Sequence, residues 1–108
     1  MTQPSIQQVA LAQKIFKVLG NEKRIRLLLL LEGQPLNVSE ISDRLNLPQP
    51  TVSHQLALLK ESQLVASHRD GKQIYYHLDD PHILEVVNDM LAHSKHVLKH
   101  MDHWNHQL

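Results

Sequence analysis

Apolar positions recur at helical spacing along most of the chain and are interrupted by short polar or proline-containing joints. Over residues 6–19, Leu11, Ile15 and Val18 form one stripe and Val9, Ala12, Phe16 and Leu19 another. Together they cover about half the circumference of a helix, more than one small domain buries, so part of this helix is expected against a second subunit. Gly20-Asn21 closes it and places Asn21 to cap a helix over about 22–32 that stops at Gly33. Asn37-Val38-Ser39-Glu40 reads as a capping box, and the short helix it opens carries Val38, Ile41 and Leu45 on one face. Leu47-Pro48-Gln49-Pro50 is a tight connector into a helix over about 50–62. Its Val52, Leu56 and Leu59 point inward at i, i+4, i+7, while Gln49, Thr51, Ser53, His54 and Gln55 leave its N-terminal end polar.

Two short helices joined by a brief turn, the second polar at its start, form a helix-turn-helix; an ordinary helical hairpin has the same pattern. The next segment favours DNA. Val65–Arg69 and Lys72–Leu78 are strand-like around Asp70-Gly71, a strong hairpin signal. A two-residue loop there sets Arg69 opposite Lys72, a like-charge pairing that costs roughly a few tenths of a kcal/mol. Two cations held at a hairpin tip suit a phosphate backbone better than solvent, so the hairpin over about 65–78 is expected to be a basic wing.

The last helix is expected from about 80 to 103, with Pro81 in its first turn. His82, His93, His96 and His100 fall within about 60° of one another on it, with His103 beside them, while Ile83, Val87, Met90, Leu91, Leu98 and Met101 occupy another sector.

Composition narrows what such an assembly can do. With 108 residues there is room for one domain, 1–108. Eleven basic residues balance eleven acidic ones, which excludes a strongly basic nucleic-acid arm. The balance hides polarity: five basic residues face only Glu22 over 14–26, and four acids stand without Lys or Arg over 79–89. The absence of cysteine excludes disulfides, thiolate metal sites and a cysteine nucleophile. The longest apolar run, Leu27–Leu31, is too short for a membrane span, so a cytoplasmic protein without membrane partners is expected. The anomaly is histidine: there are nine, six of them beyond residue 81.

Asp80-x-His82 and, ten residues on, His93-x-x-His96 supply one carboxylate and three imidazoles, a complete tetrahedral set for Zn(II) or Co(II). His93 and His96 lie one turn apart and can share an ion. His82 stands eleven residues before His93, about 16 Å along the axis, and cannot join them within one straight helix. If the four form one site, a second copy of the helix runs antiparallel, and two-fold symmetry gives two ions per dimer. Plainer roles compete: Asp80 beside Pro81 suits a helix cap, and exposed histidines can be a solvated face. His100, His103 and His106 are additional ligands or part of that face.

At these residues the chain resembles the ArsR/SmtB winged-helix metal-responsive repressors. The likeness runs from Ala12 to His96 and rests on Ile15-Phe16-Lys17-Val18-Leu19-Gly20, Arg24-Ile25-Arg26-Leu27, Thr51-Val52-Ser53-His54-Gln55-Leu56, Leu58-Leu59-Lys60, and the wing Arg69-Asp70-Gly71-Lys72 before Tyr75-Tyr76. The ligand spacing is similar to the C-terminal-helix site of the zinc- and cobalt-sensing branch, the CzrA type. The resemblance implies a mainly α, dimeric winged helix-turn-helix with a β-hairpin wing and flanking N- and C-terminal helices. It also implies that Asp80 and His82 of one subunit join His93 and His96 of the other, and that the metal-bound dimer releases operator DNA. Two departures stand out. Val38-Ser39-Glu40-Ile41 lacks the cysteines that soft-metal sensors carry on this helix, and Pro48 stands where relatives usually place a capping Ser.

The function expected is therefore a homodimeric repressor of metal-efflux genes, bound to an inverted-repeat duplex. Gln49, Thr51, Ser53, His54 and Gln55 face the DNA groove, and Arg69 and Lys72 hold the backbone. Zn(II) or Co(II) lowers its affinity. A nickel/cobalt sensor drawing on His100, His103 or His106 is the neighbouring reading. A small zinc hydrolase fits less well, because four ligands leave no open coordination position and the pattern offers no cleft. A metal-buffering protein leaves the wing and the polar helix idle.

Overall fold

The computed structural model describes the backbone of residues 3–107 and the side chains of residues 3–101. The side chains of His103 and His106 lie outside the described residues. The elements follow as α1 (Ile6–Leu19), α2 (Glu22–Leu31), β1 (Leu36–Asn37), α3 (Val38–Leu45), α4 (Gln49–Glu61), β2 (Val65–Asp70), β3 (Gln73–Leu78) and α5 (His82–Gln107).

Local chemistry sets the helix starts. Ser5 and Gln8 form a reciprocal capping box on α1, and Asn21 Oδ1 accepts the Arg24 backbone N–H at 3.2 Å on α2. Asn37 and Glu40 form the predicted box on α3, with bonds of 2.8 and 3.1 Å. The core lies where α2, α3, α4 and the sheet meet: Leu27, Leu28, Leu36, Ile41, Val52, Leu56, Leu59 and Val65 are fully buried. Truncating one such leucine to alanine typically costs about 2–5 kcal/mol, because the cavity closes only in part.

The sheet is three-stranded and antiparallel, in the order β1-β3-β2. The two-residue strand β1 pairs Leu36 with Tyr76 and Asn37 with Tyr75. In the hairpin, Asp70 lies opposite Gln73 and Arg69 opposite Ile74, so the loop is Gly71-Lys72. This corrects the expected Arg69–Lys72 pairing. Gly71 takes φ +64° while Asp70 and Lys72 do not enter the left-handed region. A hairpin whose first loop residue alone has positive φ wants glycine there, which shifts the loop one residue past the Asp-Gly reading.

Only the first turns of α5 reach the core, through Ile83, Leu84 and Val87. From Asn88 to Met101 every side chain is exposed. Apolar residues are uncovered on α1 (Ile6, Val9, Leu11, Phe16) and on α5 (Met90, Leu98, Met101). Among the described residues no helix is long and apolar enough to cross a membrane.

Candidate nucleic-acid interface and metal ligands

The turn between α3 and α4 is fixed by its own side chains. Asn46 ends α3 at φ 54°, a left-handed cap that asparagine tolerates, and the Ser42 hydroxyl donates to the Leu47 carbonyl. Pro48 precedes α4 without offering a side-chain cap, and Pro50 sits in the first turn, where its missing N–H leaves no orphan donor. Gln49, Ser53 and His54 are exposed on the outer face of α4, and Thr51 is half-buried.

Gln55 departs from that group. Its side chain is 8% exposed and turned into the protein, where Oε1 accepts Arg24 Nε at 2.8 Å. Arg24 also donates to the Val18 carbonyl at 3.1 Å, so one guanidinium joins the end of α1, the start of α2 and the middle of α4. Gln55 is thus withdrawn from the predicted DNA-facing face. The spacing held the signal: residue 55 falls between 52 and 59 on the inward stripe at i+3. Arg24, unassigned in the sequence reading, is its cationic partner.

Arg69 and Lys72 are exposed at the wing tip. Lys60 Nζ donates to Ser67 Oγ at 2.8 Å, which ties the C-terminal end of α4 to β2 and sets the wing beside the helix.

At the start of α5, Asp80 Oδ1 accepts the His82 backbone N–H at 3.0 Å and stands 2.8 Å from His82 Nδ1. Asp80 therefore takes the capping role and contacts the imidazole as well. Those two bonds, the backbone one leading, hold the Asp80 carboxyl below the usual carboxylate range. In return the Asp80 hydrogen bond, with the charges of Asp80 and Glu85 adding to it, lifts the His82 imidazole above the ordinary histidine value. In the neutral tautomer that donates Nδ1–H to Asp80, His82 Nε2 carries the lone pair, the arrangement common behind metal-binding histidines. His93 and His96 are exposed one turn apart farther along, and the His100 ring stacks on His96 at 6.2 Å. Among the described residues of the single chain, no three His, Asp or Glu side chains converge.

Residues 21–67, from the α2 cap into β2, match the family model of bacterial regulatory proteins of the arsR family. The chain is 33% identical over 89 residues to the HTH-type transcriptional regulator KmtR of Mycobacterium tuberculosis, covering 82% of this chain and 68% of that protein. The chain belongs to the ArsR family. It is also 34% identical over 86 residues to a homologue of the cadmium resistance regulatory protein CadC from Staphylococcus aureus, covering 78% of this chain and 70% of that one. In structure it is similar to the homodimeric winged helix-turn-helix DNA-binding domain Mb0332 of Mycobacterium bovis, at TM-score 0.76 and 25% identity, covering 93% and 95% of the two chains. As an ArsR protein it is a DNA-binding transcriptional regulator and not an enzyme. Its α3 and α4 are the helix-turn-helix, and β2 and β3 the wing.

Proposed function

We propose that this ArsR protein is a cytoplasmic, metal-responsive repressor that binds an inverted-repeat operator as a homodimer and loses affinity when Zn(II) occupies two inter-subunit sites. The carrying observation is the layout of α5: the Asp80–His82 pair at its start and His93 and His96 farther along, on a helix whose apolar residues Met90, Leu98 and Met101 are uncovered. A second copy of the chain covers the apolar faces of α1 and α5 and brings Asp80 and His82 of one protomer to His93 and His96 of its partner. The donor set suits a tetrahedral borderline ion, since it is three imidazoles and one carboxylate without thiolate. Gln49, Thr51, Ser53 and His54 on α4 meet the major groove, and Arg69 and Lys72 hold the backbone.

Coupling needs only that the liganded dimer prefer an orientation in which the two α4 helices fit DNA poorly. A coupling of about 1–3 kcal/mol changes operator affinity roughly 5–150-fold. A nickel/cobalt sensor is the second reading, favoured by His100 stacked beside His96, which supplies a further imidazole for ions that take more ligands.

Subunit complementation tests the site. One variant carries Asp80→Ala with His82→Ala, the other His93→Ala with His96→Ala; both also lack His100, His103 and His106. Neither homodimer retains tight Zn(II) binding, whereas the mixed dimer, formed by refolding together, recovers one intact site. Operator anisotropy with and without Zn(II), beside sedimentation, tests the response: affinity falls while the dimer persists. Heterodimers that bind no ion, or metal-induced monomers, refute the reading.

A further inference from the structure

The outer face of the wing carries a histidine pair that the DNA and α5 readings leave unused. β2 and β3 pair His68 with Tyr75 and Ala66 with His77, so the two histidines are diagonal neighbours on the face opposite Val65, Tyr76 and Leu78. Ala66, opposite His77, leaves room for its ring to lean across the strands. The His68 ring lies against Tyr75, with centroids 5.9 Å apart and planes 21° apart, which fixes its orientation. The two Nδ1 atoms stand 3.3 Å apart.

In the metal-free chain one ring can donate to the other across this distance, just past the long end of the ordinary range of about 2.7–3.2 Å. The same separation also suits two ligands of one ion lying to the side of the line between them. Two imidazole nitrogens at about 2.0–2.1 Å from one tetrahedral Zn(II) stand about 3.3–3.4 Å apart, whereas neighbouring ligands of an octahedral ion stand about 2.9 Å apart at the same bond length. We propose that His68 and His77 form a divalent-metal site on the outer face of the wing, holding Zn(II) through their two Nδ1 atoms. Among the described residues no third His, Asp or Glu completes the set, so the remaining positions belong to water or another exchangeable ligand. Two protein ligands make it an exchangeable site, distinct from the α5 set and independent of it. Because it links β2 to β3, the ion also clamps the hairpin: a ligand bound only by the folded wing stabilises it by mass action.

The test follows the imidazole nitrogens of the full-length protein by long-range proton–nitrogen correlation NMR during addition of zinc chloride. Each histidine reports separately, so binding at α5 does not obscure the wing. The Nδ1 signals of His68 and His77 move together with one saturable midpoint, and both rings hold the Nε2–H form. Either His68→Gln or His77→Gln abolishes the response of the remaining wing histidine and leaves the α5 histidines responding. Wing signals that stay fixed while the α5 signals saturate, or that move with different midpoints, overturn the proposal. So does a partner histidine that binds unchanged after its neighbour is replaced. Should a substitution unfold the wing, visible in the backbone amides of Ala66 and Tyr75, the shared midpoint in the parent protein decides alone.

Discussion

Arg24 Nε donates to Gln55 Oε1 at 2.8 Å and so fastens the first turn of α2 to the middle of α4. A second guanidinium N–H reaches the Val18 carbonyl, and the same side chain lines a groove of about 670 Å³ that Asp80 and His82 also line. The angle at which α4 is presented therefore depends on a residue far from its exposed face.

Replacing Arg24 by alanine leaves the buried Gln55 acceptor unpaired, which costs about 1–3 kcal/mol. Urea denaturation measures the loss. Gln55→Leu added to Arg24→Ala recovers part of it, giving a coupling energy above about 0.5 kcal/mol in a double-mutant cycle. Strict additivity refutes the coupling.

In the proposed DNA complex the wing cations act on the backbone and carry no sequence information. Arg69→Ala and Lys72→Ala each weaken binding to operator and to random duplex alike, and each lowers the slope of log affinity against log salt by about 1. Fluorescence anisotropy across a salt series reads both effects. An unchanged slope removes the wing from the DNA interface.

On α4, exposure separates two kinds of polar residue. Ser53→Ala and His54→Ala change discrimination between operator and random DNA and leave stability within about 0.5 kcal/mol, because both side chains are exposed. Gln55→Ala does the reverse: stability falls, since its buried amide pairs with the half-buried Arg24. Equal effects of all three on stability contradict this division.

The Asp80–His82 pair gives a pH signature. His82 titrates above the ordinary histidine value in the metal-free protein and returns toward it in Asp80→Asn, as imidazole NMR shifts report. The signs follow from linkage. A raised histidine lends stability that is full below its unfolded value and is lost as pH rises through the folded one. A lowered carboxyl lends stability that is present above its unfolded value and is lost as pH falls through the folded one. The pair thus contributes between the carboxylate and imidazole titrations. Identical His82 curves in the two proteins contradict the assignment.

Much of this fold is legible along the chain because its boundaries are written in local chemistry. Asn21, the Asn37–Glu40 box and the Pro50 turn act within four residues of themselves, and the structure keeps all three. What escaped depends on distant partners. β1 has two residues, too few to display a strand's alternation, and exists because β3 has an edge to pair. Gln55 is polar, and only the Arg24 side chain reaching from α2 makes an inward amide tolerable. The hairpin tip turned on the sign of one φ angle, at Gly71, which composition does not specify. The capping role of Asp80 was legible from its place beside Pro81, whereas its side-chain contact with His82 Nδ1 depends on a ring orientation that spacing does not set.

The exposed length of α5 beyond Asn88 has a consequence for assembly. A stretch of helix without tertiary contacts is marginal in water, because nucleation is costly and each added backbone bond contributes little. A second copy of the chain therefore does more than supply a surface: it completes the folding of this stretch. His93 and His96 lie within it, so in the proposed inter-subunit site these residues lose their preorganisation together with their partners at protein concentrations where the dimer dissociates. On the proposed function, metal affinity and subunit association are then two readings of one ordering transition, with the amides of residues 93–101 exchanging fastest in the most dilute samples.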